Sequence, residues 1–296
     1  MPDSVFLTDG EHFTPTEHAT GPWDPRALHG GAPAALITSA FERVEPGSEL
    51  SIARLGFELL RPIPLAALTL STRIVRAGRR VQELAAELST APVDGAGGEL
   101  VCRANALRVQ AIPLDLHAPA SEEEEGEEEE ESARRSVEAS SISPEGALHS
   151  YLHARLPPPE SGKAVRFALN GSADASFAST AMEMRWLSDP RALGPGQVWM
   201  RLRHPLLAGE PLTALARLAA TADFGNGVSA ALPFERFLFI NADLTIHLHR
   251  QPLGEWIGLD ARTLLHPGGT GIAESVLYDT NGSVGRAFQT LVVQPR

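Results

Sequence analysis

One pattern occurs twice. Residues 50–64 read Leu-Ser-Ile-Ala-Arg-Leu-Gly-Phe-Glu-Leu-Leu-Arg-Pro-Ile-Pro, and residues 239–252 read Phe-Ile-Asn-Ala-Asp-Leu-Thr-Ile-His-Leu-His-Arg-Gln-Pro. Each is a long strand-like run that closes on an Arg-Pro corner, Arg61-Pro62 and Arg250-Gln251-Pro252. Each follows a helix-like segment and precedes three further strand-like runs. A unit built twice in one chain implies a fused dimer, with a site at the seam between its halves.

Length agrees with duplication, since 296 residues are expected to hold about two domains. The net charge of −12 is concentrated in one place. Nine glutamates lie within 122–131, and removing them leaves the rest of the chain at −3. Such a run repels itself and buries nothing apolar, so a disordered linker is expected. The expected division is a first domain over 1–117, an acidic linker over 118–145 and a second domain over 146–296. No basic patch marks nucleic acid. No apolar run approaches the length of a membrane span, and Met1-Pro2-Asp3-Ser4 has no basic n-region, so no secretory leader is expected. The single cysteine, Cys102, reads as a small core residue, and a cytoplasmic setting is expected.

In the first half, 4–8 and 12–16 are short strands, Gly30-Gly31-Ala32-Pro33 opens a helix to about Val44, and strands follow at 50–61, 67–77, 80–89 and 99–109. Pro33 suits a first helical turn, where its missing N–H costs nothing. The second half repeats this order. Strands at 182–187 and 198–204 precede a helix opened by Pro211 and running to about Asp223. Strands follow at 236–249, 255–264, 271–279 and 284–293, with Asn281-Gly282 as a hairpin turn. An antiparallel meander beside one long helix is expected to wrap it.

This order, doubled, resembles the double hot-dog acyl-CoA thioesterase family, the type II enzymes and their bacterial relatives. The residues that carry the likeness are His29-Gly30-Gly31 before the first helix, Arg54, Phe57 and Leu60-Arg61-Pro62 in the strand after it, and Ala222-Asp223-Phe224 at the second helix end. Asp243, His249-Arg250, Glu255-Trp256, Asn281-Gly282 and Gln289 complete the set. The resemblance implies an α+β fold: two antiparallel sheets, each wrapping a long helix, related by a pseudo-twofold axis. It implies hydrolysis of a fatty or other acyl-CoA to free acid and CoA, with no cofactor, a place in lipid metabolism, and assembly into a homodimer.

Such enzymes hold a water with an acid, a hydroxyl or amide, and a glutamine. In this chain these fall on Asp223, Asn241 and Gln289. Asn241 stands where the family usually has Thr or Ser, and an amide both donates and accepts. The alternative is a non-catalytic acyl-CoA-binding protein that kept the fold. A hot-dog hydratase or dehydratase is a third class, but its Asp and His in one loop-helix signature are not found here. Thioester hydrolysis needs a base and donors facing a developing oxyanion. His29, Gly30 and Gly31, at a helix N-terminus, are the expected substrate-binding residues.

Other stretches read more plainly. His247 and His249 share a strand face without a third ligand nearby, so no metal site is expected. The run His266 to Gly271 reads as a hairpin loop rather than a phosphate loop, because no helix follows it. Removing residues 121–132 is expected to leave the thermal midpoint and the activity nearly unchanged. A large loss in either would mean that this segment docks on the body.

Overall fold

The computed structural model describes residues 3–22, 24–92, 97–112, 155–166 and 175–296. The expected linker over 118–145 lies outside the described residues. Two helices lie at the centre of the fold. The first, α1 (Gly31–Arg43), buries nine of its thirteen residues. Pro33 sits in its first turn, where N–H groups have no intrahelical acceptor. The second, α2 (Ala214–Ala222), buries seven of nine. Helices buried on nearly every side need apolar or small residues all round, which Ala32, Ala34, Ala35, Ala216, Ala219 and Ala220 supply.

The helices run antiparallel. Thr213 Oγ1 donates to Glu42 Oε2 at 2.7 Å, joining the start of α2 to the end of α1. At the other end, a Cβ on Gly31 would collide with the Ala220 carbonyl oxygen. Thr213, not Pro211, starts α2, because its hydroxyl accepts from the Ala216 N–H and caps the helix. A four-residue helix, α3 (Gly225–Val228), follows at once.

Around the helices the described residues form one sheet of fourteen strands. In the first half these are β1 (Phe6–Thr8), β2 (Phe13–Pro15), β3 (Leu50–Leu59), β4 (Leu68–Arg76), β5 (Val81–Thr90) and β6 (Leu100–Gln110). In the second they are β7 (Lys163–Ala164), β8 (Met182–Trp186), β9 (Gly196–Leu202), β10 (Phe237–Asn241), β11 (Asp243–Leu248), β12 (Ile257–Leu265), β13 (Thr270–Asp279) and β14 (Gly282–Pro295). From the seam outward the order is β3, β6, β5, β4, β2, β1 on one side and β11, β14, β13, β12, β9, β8, β7 on the other, with β10 also paired to β14. The first six strands on each side correspond about the antiparallel β3–β11 pair, so a pseudo-twofold axis passes through it. This is the double hot-dog arrangement expected from the repeat.

At the seam Gly56 faces Thr245. Leu55, Phe57, Leu244 and Ile246 alternate onto the buried face, each worth about 1.5–3 kcal/mol of apolar burial. The repeated corners, Arg61 and Arg250, lie equally far beyond that central pair. They have diverged. Arg61 pairs with Glu99 in solvent. Arg250 makes a two-pronged pair with the buried Asp279, at 2.6 and 2.7 Å.

The expected strand over 236–249 is two strands. The break falls at Ala242, whose N–H donates to the Thr290 carbonyl at 2.9 Å. Asp243 Oδ1 then accepts the Thr290 N–H at 2.7 Å. A side chain thus replaces a ladder bond, and the pairing with β14 shifts between β10 and β11. Cys102 is buried, and its thiol is pushed up to about 12 by burial and then by the nearby Glu58, the state of an inert core thiol. Among the described residues, no helix is long and apolar enough to cross a membrane.

Asp279 gives a pH signature. Burial alone would raise its carboxyl, but bonds from Arg250 and from the N–H groups of Asn281 and Leu253 hold it below the usual range. The stability it lends is therefore complete above the ordinary carboxylate range and is lost as pH falls through its lowered value. Asp279→Asn should cost about 1–3 kcal/mol near neutrality, and the gap from wild type should narrow in acid. Denaturant titrations at both pH values check this, and a gap that widens in acid contradicts it.

Candidate active site

The buried helix α2 delivers Asp223 to the interior. This residue is the helix C-cap, still in the helical region (φ −71°, ψ −7°), and is only 4% exposed. Its Oδ1 accepts two amide N–H bonds, from Asn241 Nδ2 at 2.9 Å and from Gln289 Nε2 at 3.0 Å. The Gln289 amide also donates to the Asp223 main-chain oxygen at 3.0 Å. Gln289 Oε1 accepts the Asn226 N–H at 3.1 Å, and Asn226 Nδ2 donates to Asn241 Oδ1 at 2.9 Å. Four residues from a helix end, a short helix and two strands thus close a ring, in which Asn241 and Gln289 use both ends of their amides and Asn226 uses its main-chain and side-chain N–H groups.

Local structure explains each placement. Gln289 shares the inner face of β14 with Ala287 and Leu291, all essentially without solvent contact, and it is the polar member of that apolar row. Asn241 is the last residue of β10, just before the break at Ala242. Asn226 is carried by α3, and the helix needs glycine beside it. A Cβ on Gly225 would stand 2.7 Å from Gln289 Oε1 and 2.9 Å from Ser275 Oγ.

The first half contributes the facing wall. His29 Nδ1 lies 3.1 Å from Asp223 Oδ2, and the Gly31 N–H points at the same nitrogen at 3.0 Å. The His29 ring stacks on Phe224 at 4.3 Å and tilts against Phe177 at 5.2 Å. Phe177 begins a π-helical turn over Phe177–Ala181, fixed by a capping box between Ser176 and Ser179. Gly30 lets α1 approach, because a Cβ there would lie 2.7 Å from Asp223 Oδ2. Next to the ring is a cavity of about 30 Å³ lined by His29, Asn226, Met184, Trp186, Met200 and Phe234 among others. It exceeds the ~10–15 Å³ that one water needs.

All six residues singled out in the sequence meet here: Asp223, Asn241 and Gln289 from the second half, His29, Gly30 and Gly31 from the first. The Gly31 N–H is not open as expected, since it is directed at the His29 ring. Asn226 was missed. Its only signal was an asparagine between two glycines after Asp223, which reads as a turn. His247 and His249 are exposed. Among the described residues, no group of three or more His, Cys, Asp or Glu is placed to hold a metal.

Comparison with known proteins joins this geometry to a family. The acyl-CoA thioesterase N-terminal domain family matches residues 19–109, and the acyl-CoA thioesterase C-terminal domain family matches residues 153–293. The chain belongs to the acyl-CoA thioesterase family. A search of curated proteins finds no match. Solved structures share its fold at low identity. A Novosphingobium aromaticivorans protein provisionally assigned as a thioesterase is 18% identical, with a TM-score of 0.65 over 97% of this chain and 98% of that one. An Alicyclobacillus acidocaldarius hot-dog protein of unknown function is 16% identical, with a TM-score of 0.64 over 99% and 97%. The acyl-CoA thioesterase II TesB2 of Mycobacterium marinum is 15% identical, with a TM-score of 0.56 over 95% and 96%.

In this thioesterase-family chain the ring is also part of the packing. Gly225→Ala should therefore cost roughly 1–3 kcal/mol by forcing a Cβ against buried Gln289. Urea unfolding measures it, and an unchanged midpoint would mean that Gln289 can yield.

Proposed function

We propose that this chain hydrolyses an acyl-CoA to the free acid and CoA at the cluster of Asp223, Asn241 and Gln289. The observation that carries the reading is the closed ring of amides around one buried carboxylate beside a small cavity. Nothing in ordinary packing requires three amides and a carboxylate from four separate elements to meet, and burying them is costly unless each is bonded.

The chemistry needs a fixed negative charge near a water, and donors near the thioester oxygen. Asp223 supplies the charge. Asn241 and Gln289 hold its Oδ1, so the other carboxylate oxygen is turned toward the first half. His29, Gly30 and Gly31 receive the thioester end of the substrate at the start of α1, where partial positive charge favours a carbonyl oxygen. The apolar side chains Met184, Trp186, Met200 and Phe234 line the direction open to the acyl group. Asn241 fills the place of the family's usual Thr or Ser by bonding at both ends, to Asp223 and to Asn226.

Thiol release from acyl-CoAs of graded chain length tests the proposal. Wild type should turn over, and Asp223→Ala should lose roughly 10²-fold or more with folding intact. Gln289→Ala and Asn241→Ala should each lose less, because each orients a group that the other partly holds. Tight acyl-CoA binding without thiol release would favour a binding protein instead.

A further inference from the structure

One polar atom beside the cavity bonds nothing. Trp186 ends β8 and is 3% exposed. Its side chain lines the cavity, and its indole Nε1 is buried without a hydrogen-bond partner among the described residues. Trp199, the buried tryptophan on the neighbouring strand β9, shows the usual state, for its Nε1 donates to the Pro157 carbonyl oxygen at 2.7 Å. A buried indole N–H normally finds an acceptor, and leaving one without is costly. Whatever fills the cavity is placed to supply that acceptor. A water there needs about two to four polar partners. Apart from Trp186, only His29 and Asn226 bring side-chain nitrogen or oxygen to the lining. Asn226 Nδ2 is already committed to Asn241, and His29 Nδ1 to the Gly31 N–H. An oxygen carried on the acyl chain has no such need, because the chain itself holds it in place. Size limits that chain. A cavity of about 30 Å³ is the room of about two or three waters at ~10–15 Å³ each, so roughly as many heavy atoms fit beyond the thioester carbon.

We propose, resting on the thioesterase reading, that the substrate is a short acyl-CoA whose chain carries a hydroxyl or carbonyl oxygen, and that Trp186 selects it by donating Nε1–H to that oxygen. Met184, Met200 and Phe234 line the same cavity, so the bond forms among apolar side chains, where a single hydrogen bond is strong and its loss is costly. A plain saturated chain of the same length enters but leaves the indole N–H without an acceptor. That asymmetry is how a site rejects an analogue lacking one oxygen. Trp186 thereby acts on the choice of acyl group. The water and the thioester remain with Asp223, Asn241, Gln289 and the start of α1.

The test compares kcat/KM, by thiol release from the full-length protein, for butyryl-CoA, its hydroxy- and oxo-substituted forms, and decanoyl-CoA. At least one substituted form should exceed butyryl-CoA by about tenfold or more, and decanoyl-CoA should be the poorest. Trp186→Phe keeps an aromatic ring and removes the N–H, and should bring the ratio of that form to butyryl-CoA close to one. Turnover of butyryl-CoA or decanoyl-CoA equal to or better than every substituted form overturns the proposal. So does a preference that survives intact in Trp186→Phe. If Trp186→Phe fails to fold, the wild-type ranking decides alone. A wild type that releases no thiol from any acyl-CoA overturns the thioesterase reading as well, whereas turnover of plain chains without preference for an oxygen removes only the role of Trp186.

Discussion

The contact between the start of α1 and the end of α2 decides what the rest of the molecule can be. Gly31 sits against the Ala220 carbonyl and Gly30 against the Asp223 carboxylate, at separations no Cβ would permit. This approach packs the helices as antiparallel neighbours, under the sheet that β3 and β11 make continuous. It also places a buried carboxylate at the positive end of α1. A carboxylate near a helix N-terminus is favoured by the exposed N–H groups there, which helps to offset the cost of removing its charge from water.

A twofold relation would place an equivalent cluster at the opposite end of the helix pair. That end is filled differently. The buried Arg108 donates to the main-chain oxygens of Val44 and Phe41, closing the end of α1. It also donates to Gln82 Oε1 at 3.3 Å. Glu42 is tied to Thr213, and Arg43 pairs with Glu210. Burial lowers the Arg108 guanidinium, against the pull of Glu45 and Glu42, and burial raises the Glu42 carboxyl. Cations and main-chain caps occupy the space that Asp223, Asn241 and Gln289 occupy at the other end. The repeat gave the chain two similar ends, and sequence divergence filled one with a carboxylate and amides and the other with a guanidinium that closes the helix.

Much of this was legible in the sequence because its signals are local and repeated. The repeated run closing on an Arg-Pro corner marked the central strands, and Asn281-Gly282 marked the last hairpin. Gly30-Gly31-Ala32-Pro33 marked the start of α1. The break at Ala242 was not legible, because it depends on Asp243 reaching the Thr290 N–H on a strand distant in the chain. The start of α2 was misplaced because a proline is a strong signal, while the hydroxyl of Thr213 is a subtle one. In the site, Asp223, Asn241 and Gln289 came from family likeness, and their meeting followed from the fold. Asn226 and the approach of His29 to Asp223 could not be read, since both depend on close packing between the halves.

The central claim is that the reacting thioester lies where the two helix ends meet. A crystal structure with a non-hydrolysable ketone analogue of an acyl-CoA tests it most directly. The account predicts the analogue's carbonyl at the start of α1 beside Gly30 and Gly31, its reacting carbon near Asp223, and its acyl end against Trp186 and Phe234. An analogue whose carbonyl is lodged away from His29 and Asp223, with their contact undisturbed, would contradict it.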